Sequence, residues 1–190
     1  MTETNNLTPD WRIAPATAQV VIIDVQERLA PHIHEIDRVI DRVRRLAAIA
    51  HALKLPVTIT EQYVAGLGPT IGPVRDAYAG APRFEKMTFS AWDDPVTRDA
   101  IIDNRRPHAL IAGIEAHVCV QQTATDMRAE GLKPVILADA VGSRRPADAE
   151  TALARMRGRG IDIATLEAVA FEMLRRAEGD AFRAVLSAVK

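Results

Sequence analysis

Three side chains that could work together in catalysis lie at comparable places along this sequence. Cys119 is the only cysteine among the 190 residues, and it follows the apolar segment 109–113 near the predicted start of a helix. Asp24 ends another apolar segment, and Lys86 lies near the end of a third, shorter one. A thiol with an ordinary pKa of about 8.5 is only slightly ionised at neutral pH, so a cysteine nucleophile needs a base, a cation or both.

Asp24 could supply the base and Lys86 the cation, and the start of a helix favours the thiolate form of Cys119. The alternative interpretation is structural. In that case Asp24 caps a turn, Lys86 is solvated and Cys119 belongs to the core.

The elements that would position these side chains follow from the spacing of apolar residues. Short segments rich in Val, Ile and Leu alternate with longer segments whose apolar residues recur every three or four positions, which predicts strands alternating with helices. The predicted strands are 18–24, 56–60, 84–87, 107–113, 133–138 and 161–164; the predicted helices are 36–50, 95–104, 117–130, 146–157 and the tail from 165; residues 61–82 form a glycine- and proline-rich loop.

This alternation predicts one α/β domain over residues 1–190, with a three-layer architecture. We expect a six-stranded, mainly parallel, Rossmann-like sheet in the order 3-2-1-4-5-6, covered by helices on both faces. Ligands bind such sheets outside the carboxyl ends of the strands, where Asp24, Lys86 and Cys119 are all predicted to lie. In this order strand 3 is two strands away from strand 1, so Lys86 has to reach inward.

Composition narrows the possible partners. The formal net charge is -1, and the basic residues are scattered among acidic ones, which argues against a nucleic acid partner. No apolar run approaches the roughly 18 residues of a membrane span, and a single cysteine excludes an intramolecular disulfide. We therefore expect a cytoplasmic protein that acts on a small molecule and has no membrane partner.

Three segments of the chain resemble signatures of the isochorismatase-like cysteine hydrolases. They are Val21–Gln26, Phe84–Lys86 and Gly113–Val120, which occur in the family's order and at suitable separations. The segment Thr60–Thr70 resembles the branch that contains the isochorismatase domain-containing proteins and the YcaC-like hydrolases. That branch often lacks an assigned substrate, and the family resemblance also implies a homo-oligomer, a dimer or larger.

The resemblance implies a role for each catalytic candidate. Cys119 would attack a carbonyl-type carbon and form a thioester-like intermediate that water then hydrolyses. Asp24 would act as the base, while Lys86 holds the carboxylate in place. The family's cis peptide bond falls between Ile114 and Glu115, and it would aim the backbone N–H of Glu115, together with that of Cys119, at the developing oxyanion.

Departures from the family pattern limit the reaction. Relatives that deamidate nicotinamide resemble one another in an Asp-x-His after strand 2 and a further histidine that bind a metal, whereas this chain has Thr58–Gln62 there. We therefore predict no catalytic metal and no cofactor. His32 and His34 have a spacing that can bind metal, but a loop end or a helix start is the preferred interpretation.

The remaining predictions concern the pocket. Arg83 is a candidate for holding a substrate carboxylate, and the aromatic candidates could equally serve as core. The residues predicted to line the pocket are Gln26, Gln62, Tyr63, Phe84, Trp92 and His117.

Isochorismatase itself breaks a vinyl ether and does not need the thiol, so the presence of Cys119 favours amide, ureide or related acyl chemistry. The predicted function is a metal-independent cysteine hydrolase that cuts a C–N bond through a thioester-type intermediate. The alternative is a catalytically silent member of the fold that acts as a redox sensor or a scaffold. A third hypothesis is hydrolysis of a C–O or C–C bond in a small acid.

Overall fold

The computed structural model describes residues 12–190, in which strands alternate with helices. The strands are β1 (Ala18–Ile23), β2 (Val57–Gln62), β3 (Arg83–Lys86), β4 (His108–Ile114), β5 (Lys133–Gly142) and β6 (Asp162–Ala164). The helices are α1 (Ile36–Leu53), α2 (Val64–Leu67), α3 (Gly72–Ala77), α4 (Pro95–Asp103), α5 (Gln121–Ala129), α6 (Pro146–Gly158), α7 (Leu166–Leu174) and α8 (Gly179–Val189). A 3-10 helix (Ala30–His32) and a π-helical turn (Ala116–Val120) complete the elements.

The six described strands form one sheet in the order β3-β2-β1-β4-β5-β6, and every neighbouring pair is parallel. The predicted fold class and strand order are therefore confirmed. The order reverses between β1 and β4, which both run in the centre of the sheet. Their carboxyl ends bring the segments that follow them side by side, which is where a ligand site is expected.

Two apolar clusters cover the two faces of the sheet. Alternate residues of β1 belong to different clusters: Val20 and Ile22 pack with α1, whereas Val21 and Ile23 pack with residues of α4, α5 and α6. All six residues of β1 are buried. Burial on both faces explains why the strand is a continuous apolar run rather than an alternating one.

The segment 61–82 differs from its prediction as a loop. Its first two residues extend β2, and two short helices, α2 and α3, follow. Extension of β2 to Gln62 is supported by parallel pairing with Lys86 of β3. Pro73 lies in the first turn of α3, where its missing N–H costs nothing. The predicted strand 5 is also too short, because β5 continues to Gly142.

Each helix within residues 12–190 is either too short or too polar to cross a lipid bilayer.

Gly113 allows β4 to lie unusually close to β1. It pairs with Ile23, it has a φ of +119°, and an added Cβ atom would lie 2.1 Å from the carbonyl oxygen of Ile23. That approach is far inside van der Waals contact, and the atom in the way belongs to the backbone of a central strand. Because Ile23 directly precedes Asp24, the same contact sets the distance between the ends of β1 and β4.

We expect Gly113→Ala to lower the free energy of unfolding by about 2 to 5 kcal/mol, since it forces two central strands apart at a positive φ. Urea denaturation measures the change. Gly158→Ala is the matched control, because an added Cβ there meets nothing within 4 Å. The control should leave stability unchanged or raise it by up to about 1 kcal/mol. Equal stability of the two variants would contradict this account of Gly113.

Candidate active site

Asp24 leaves β1 in a left-handed backbone conformation, with a φ of 51°. Its N–H donates to the carbonyl oxygen of Thr60 at 3.2 Å, and its own carbonyl accepts from the N–H of Gln26 at 2.8 Å. Aspartate is one of the few residues that tolerate this conformation. The turn therefore begins immediately where the strand ends, and the Asp24 side chain is fully buried.

Lys86 is almost completely buried, at 1% exposure, although it ends a strand at the edge of the sheet. Its Nζ lies 2.7 Å from Oδ2 of Asp24 and donates to Oε1 of Gln62 at 2.8 Å. The carbonyl oxygens of Thr88 and Phe89 accept from the same ammonium at 3.2 and 3.3 Å. The long side chain thus reaches across β2 to β1, as the strand order requires.

Cys119 lies in the π-helical turn between β4 and α5, and only 6% of it is exposed. Its thiol is hydrogen-bonded to the carboxylate of Asp24. Burial and the nearby charge of Asp24 raise the pKa of Cys119 to about 12, against the opposing effect of Lys86. The expectation that the thiolate form is favoured is wrong, because desolvation and a neighbouring anion outweigh the effect of the lysine.

Asp24 is therefore the centre of the arrangement, since its carboxylate contacts both the ammonium of Lys86 and the thiol of Cys119. The structure brings together the three residues that the sequence singled out. In such a buried cluster the thiol can form a covalent bond with a substrate, and the neighbouring carboxylate can accept the proton that the thiol loses.

Thr60 is a further member of this cluster that the sequence analysis missed. Its Oγ1 donates to Oδ1 of Asp24 at 2.6 Å, and the residue is fully buried. The sequence could have indicated Thr60 only through its position at the end of the strand predicted to lie next to β1. A threonine in a strand is ordinary, so residue type alone gave no reason to choose it.

Gln26 and Gln62 support the site through hydrogen bonds at the end of β2. The side chain of Gln26 binds the backbone of Gln62, accepting from its N–H at 2.6 Å and donating to its carbonyl at 2.9 Å. Gln26 is fully buried, and its amide also donates to the carbonyl of Gly68. These bonds fix the end of β2, from which Gln62 reaches Lys86.

Glu61 points to the opposite side of β2 from Thr60 and Gln62. One oxygen of its carboxylate accepts from both the N–H and the hydroxyl of Thr70, at 2.7 and 2.6 Å. Thr70 also forms an antiparallel bridge with Gln26. The end of the glycine-rich segment 66–72 is thereby fastened to the same strand end that contacts the catalytic candidates.

Glu115 follows a cis peptide bond from Ile114, at the position that the family resemblance implies. Its carboxylate forms a paired contact with Arg144, with Nη2 at 2.7 Å and Nε at 3.1 Å, and it accepts from the N–H of that residue. Burial raises the pKa of Glu115, but the hydrogen bonds and charge of Arg144 outweigh it and hold the pKa below its ordinary value. Glu115 is therefore held as a carboxylate.

The other predicted pocket residues lie in different environments. Trp92 is 7% exposed and belongs to the same apolar cluster as Cys119. Phe84 and His117 are half-buried, and Nδ1 of His117 lies 2.9 Å from Oγ of Ser143. Tyr63 is exposed at 47%.

Arg83 and the two histidines lie elsewhere. Arg83 begins β3, three residues before Lys86, and it donates to the carbonyl of Arg75 at 3.1 Å. His32 and His34 are exposed. Across the part of the chain that the structure describes, His, Cys, Asp and Glu side chains form no group of three or more that could hold a metal ion.

Comparison with known proteins identifies the class. The sequence of residues 18–168 matches the isochorismatase domain, and this chain belongs to that family. "Isochorismatase family protein 1B" from Dictyostelium discoideum is 33% identical over 183 residues, which cover 94% of this chain and 89% of that protein.

Solved structures of similar proteins share the fold. A protein described as "MAR1 Ribonuclease" from Caenorhabditis elegans has a TM-score of 0.88 at 33% identity, covering 94% of this chain and 92% of that one. YcaC from Pseudomonas aeruginosa, described with hexane-2,5-diol and covalent acrylamide, has a TM-score of 0.88 at 26% identity, covering 95% and 92%. YcaC from Escherichia coli, described as an octameric hydrolase of unknown specificity, has a TM-score of 0.88 at 25% identity, covering 95% and 91%.

The raised pKa of Cys119 gives a prediction about stability at high pH. Folding raises this pKa from an ordinary value of 9.0 to about 12. Below pH 9 both states keep the proton, but above it the unfolded chain loses the proton while the folded chain keeps it. The free energy of unfolding therefore falls as pH rises, by about 2 kcal/mol from this residue between pH 8 and 10.5.

Urea denaturation of the wild type and of Cys119→Ser at both pH values measures this contribution. The serine variant keeps a hydroxyl donor of similar size but does not titrate in this range, so its stability should fall less. Other groups, including Tyr78, whose pKa burial also raises, affect both proteins alike. An identical loss of stability in the two proteins would show that the thiol titrates normally.

Proposed function

We propose that this protein is a metal-independent cysteine hydrolase that cuts a C–N bond in a small amide or related acyl compound. The observation that carries this proposal is the carboxylate of Asp24, which contacts both the buried ammonium of Lys86 and the thiol of Cys119. Family membership and a related structure described with covalent acrylamide support a reactive group in this fold.

In the first half of the reaction, Sγ of Cys119 attacks the carbonyl carbon and Asp24 accepts the thiol proton. The C–N bond then breaks, and Asp24 delivers that proton to the leaving amine, which leaves an acyl thioester. In the second half Asp24 takes a proton from water, whose oxygen attacks the thioester. The C–S bond then breaks, Asp24 returns the proton to the sulfur, and the carboxylic acid and the free thiol are released.

The raised pKa of Cys119 means that the resting enzyme holds a thiol rather than a thiolate. Proton transfer to Asp24 therefore accompanies the attack and is not completed before the substrate arrives. Lys86 keeps a positive charge beside the carboxylate and stabilises the anions that form during the attack.

The backbone N–H groups of Glu115 and Cys119 are the proposed donors to the oxyanion. Removal of one such donor typically costs 10²- to 10³-fold in rate. The ion pair with Arg144 fixes the side chain of Glu115, and the backbone of that residue is fixed with it. This pair contributes to the geometry of the site without contacting the reacting atoms.

A small molecule fits this site better than RNA, although a related protein is described as a ribonuclease. The chain has a net charge of -1, and Lys86, the cation whose charge lowers the pKa of Cys119, is fully buried in an ion pair with Asp24. Proteins that bind RNA neutralise phosphates with exposed lysines and arginines. We propose that the substrate is a small acyl compound without a polyanionic backbone.

The redox-sensor alternative fits the site less well. Sensor cysteines have a low pKa and are open to solvent, whereas Cys119 is 6% exposed and its pKa is raised to about 12. The scaffold alternative leaves the buried ion pair unexplained, because an apolar replacement would usually be as stable.

We also propose that the protein forms a homo-oligomer, as the related YcaC from Escherichia coli is described as octameric. Three large apolar side chains, Tyr63, Met87 and Phe89, are 47%, 68% and 56% exposed at or beside the end of β3. Light scattering should give a mass of at least twice the 20.8 kDa of one chain. A mass equal to one chain at micromolar concentration would refute the oligomer.

We expect incubation with a panel of small amides, followed by intact-mass spectrometry, to give an acyl adduct on the wild-type chain. Cys119→Ala should abolish the adduct, because no other cysteine exists in the chain. Asp24→Asn should lower the rate of product formation by at least 100-fold, since the base is lost. Identification of the products separates C–N cleavage from cleavage of C–O or C–C bonds.

The control is Thr58→Val, which removes a buried hydroxyl two residues before Thr60 on the same strand. It should keep the wild-type rate. Adducts that persist in Cys119→Ala, or turnover that survives in Asp24→Asn, would count decisively against the proposed function.

A further inference from the structure

We propose that Thr60 is a positioning residue that holds the carboxylate of Asp24 in the orientation needed to take the proton of Cys119. This inference rests on the proposed function and adds a residue to it. Thr60 is fully buried, and its Oγ1 lies 2.6 Å from Oδ1 of Asp24. In the sequence, Thr60 is only the first residue of the segment Thr60–Thr70 that resembles a branch of the family, and that resemblance gives it no role.

The two oxygens of Asp24 have different donors. Thr60 donates to Oδ1, while Lys86 donates to Oδ2 at 2.7 Å. Two donors on two oxygens fix the rotation of the carboxyl group about its Cβ–Cγ bond. Without Thr60 the group would be held only by Lys86 and by the thiol that it must deprotonate, so its orientation toward that thiol would be less firmly fixed.

Thr60 also suits both protonation states of Asp24. A hydroxyl is a donor and an acceptor, so Thr60 can donate to the carboxylate and can turn to accept when that oxygen becomes protonated. Lys86 can only donate. A residue without a hydroxyl, such as valine, would remove the donor that Oδ1 has from Thr60 in the resting state.

A backbone hydrogen bond supports the side-chain contact between Thr60 and Asp24. Its carbonyl oxygen accepts from the N–H of Asp24 at 3.2 Å, so the two residues are joined through backbone and side chain. The same strand end carries Gln62, which binds the ammonium of Lys86. One face of β2 therefore positions both members of the ion pair.

Acrylamide is a suitable probe, because its reaction with Cys119 needs the same proton transfer but no knowledge of the natural substrate. The Sγ–C bond forms at the terminal alkene carbon, the carbon–carbon double bond becomes single, and the thiol proton ends on the carbon next to the amide carbonyl. Asp24 takes this proton from sulfur and passes it on. Intact-mass spectrometry measures the rate from pH 5 to 9.

We expect Thr60→Val to slow alkylation by about 10- to 100-fold, as for loss of a hydrogen bond to a charged group. The acid side of its pH–rate profile should move to higher pH, because a donor that stabilises the carboxylate is gone. Thr60→Ser keeps the hydroxyl and should react within about threefold of the wild type. Thr58→Val, a loss of an equally buried hydroxyl on the same strand, should leave both the rate and the profile unchanged.

A structural role alone predicts a different pattern. Thr60→Val would then match Thr58→Val in rate and pH profile, or Thr60→Ser would be as slow as Thr60→Val, and either result overturns the inference. Should Thr60→Val fail to fold by circular dichroism, Thr60→Ala carries the same expectations.

Asp24→Asn separates this inference from the proposed function. Wild-type rates in that variant, or a wild-type chain that acrylamide leaves unmodified, refute the proposed function and this inference with it. Slow alkylation in Asp24→Asn together with normal alkylation in Thr60→Val refutes the role of Thr60 alone.

Discussion

The buried ion pair between Asp24 and Lys86 is the interaction on which the site depends. Removing two charges from water costs several kcal/mol each, and their attraction compensates only when other donors and acceptors satisfy them. Here Thr60 donates to the carboxylate, and Gln62 with two backbone carbonyls accepts from the ammonium. The left-handed turn at Asp24 and the loop that follows Lys86 are the local structures that make these contacts available.

Burial, and the position of the Cys119 thiol beside the carboxylate of this ion pair, raise the pKa of the thiol. Cys119 shares the carboxylate with Lys86, and burial keeps its proton in place until a reaction removes it. The π-helical turn that carries it follows β4, and Gly113 lets β4 approach β1 closely enough for the thiol to meet Asp24. The chemistry of the cluster therefore depends on a backbone contact between two central strands.

Much of this arrangement could be predicted from the sequence. Apolar runs such as those of β1 and β4 identify buried parallel strands, and the strand order then places Asp24, Lys86 and Cys119 at one edge. Family signatures added the expected roles. The short helices between residues 61 and 82 were missed, because four- and six-residue helices are too short to show a period in apolar residues.

Other features depend on contacts between distant parts of the chain. The thiol pKa of Cys119 follows from tertiary burial, and the partner of Glu115 lies 29 residues away at Arg144. The contact between Thr60 and Asp24 joins residues 36 positions apart. Neither residue type nor spacing reveals such pairs until the strands are placed side by side.

The alternation of side chains at the end of β2 links the ion pair of Asp24 and Lys86 to the glycine-rich segment 66–72. Thr60 and Gln62 bind Asp24 and Lys86 respectively, while Glu61 between them binds Thr70 at the end of the glycine-rich segment. A mutation that reshapes this segment at its anchor would also disturb the strand end that contacts the ion pair of Asp24 and Lys86. The position of this segment and the geometry of the ion pair are therefore set by the same strand end.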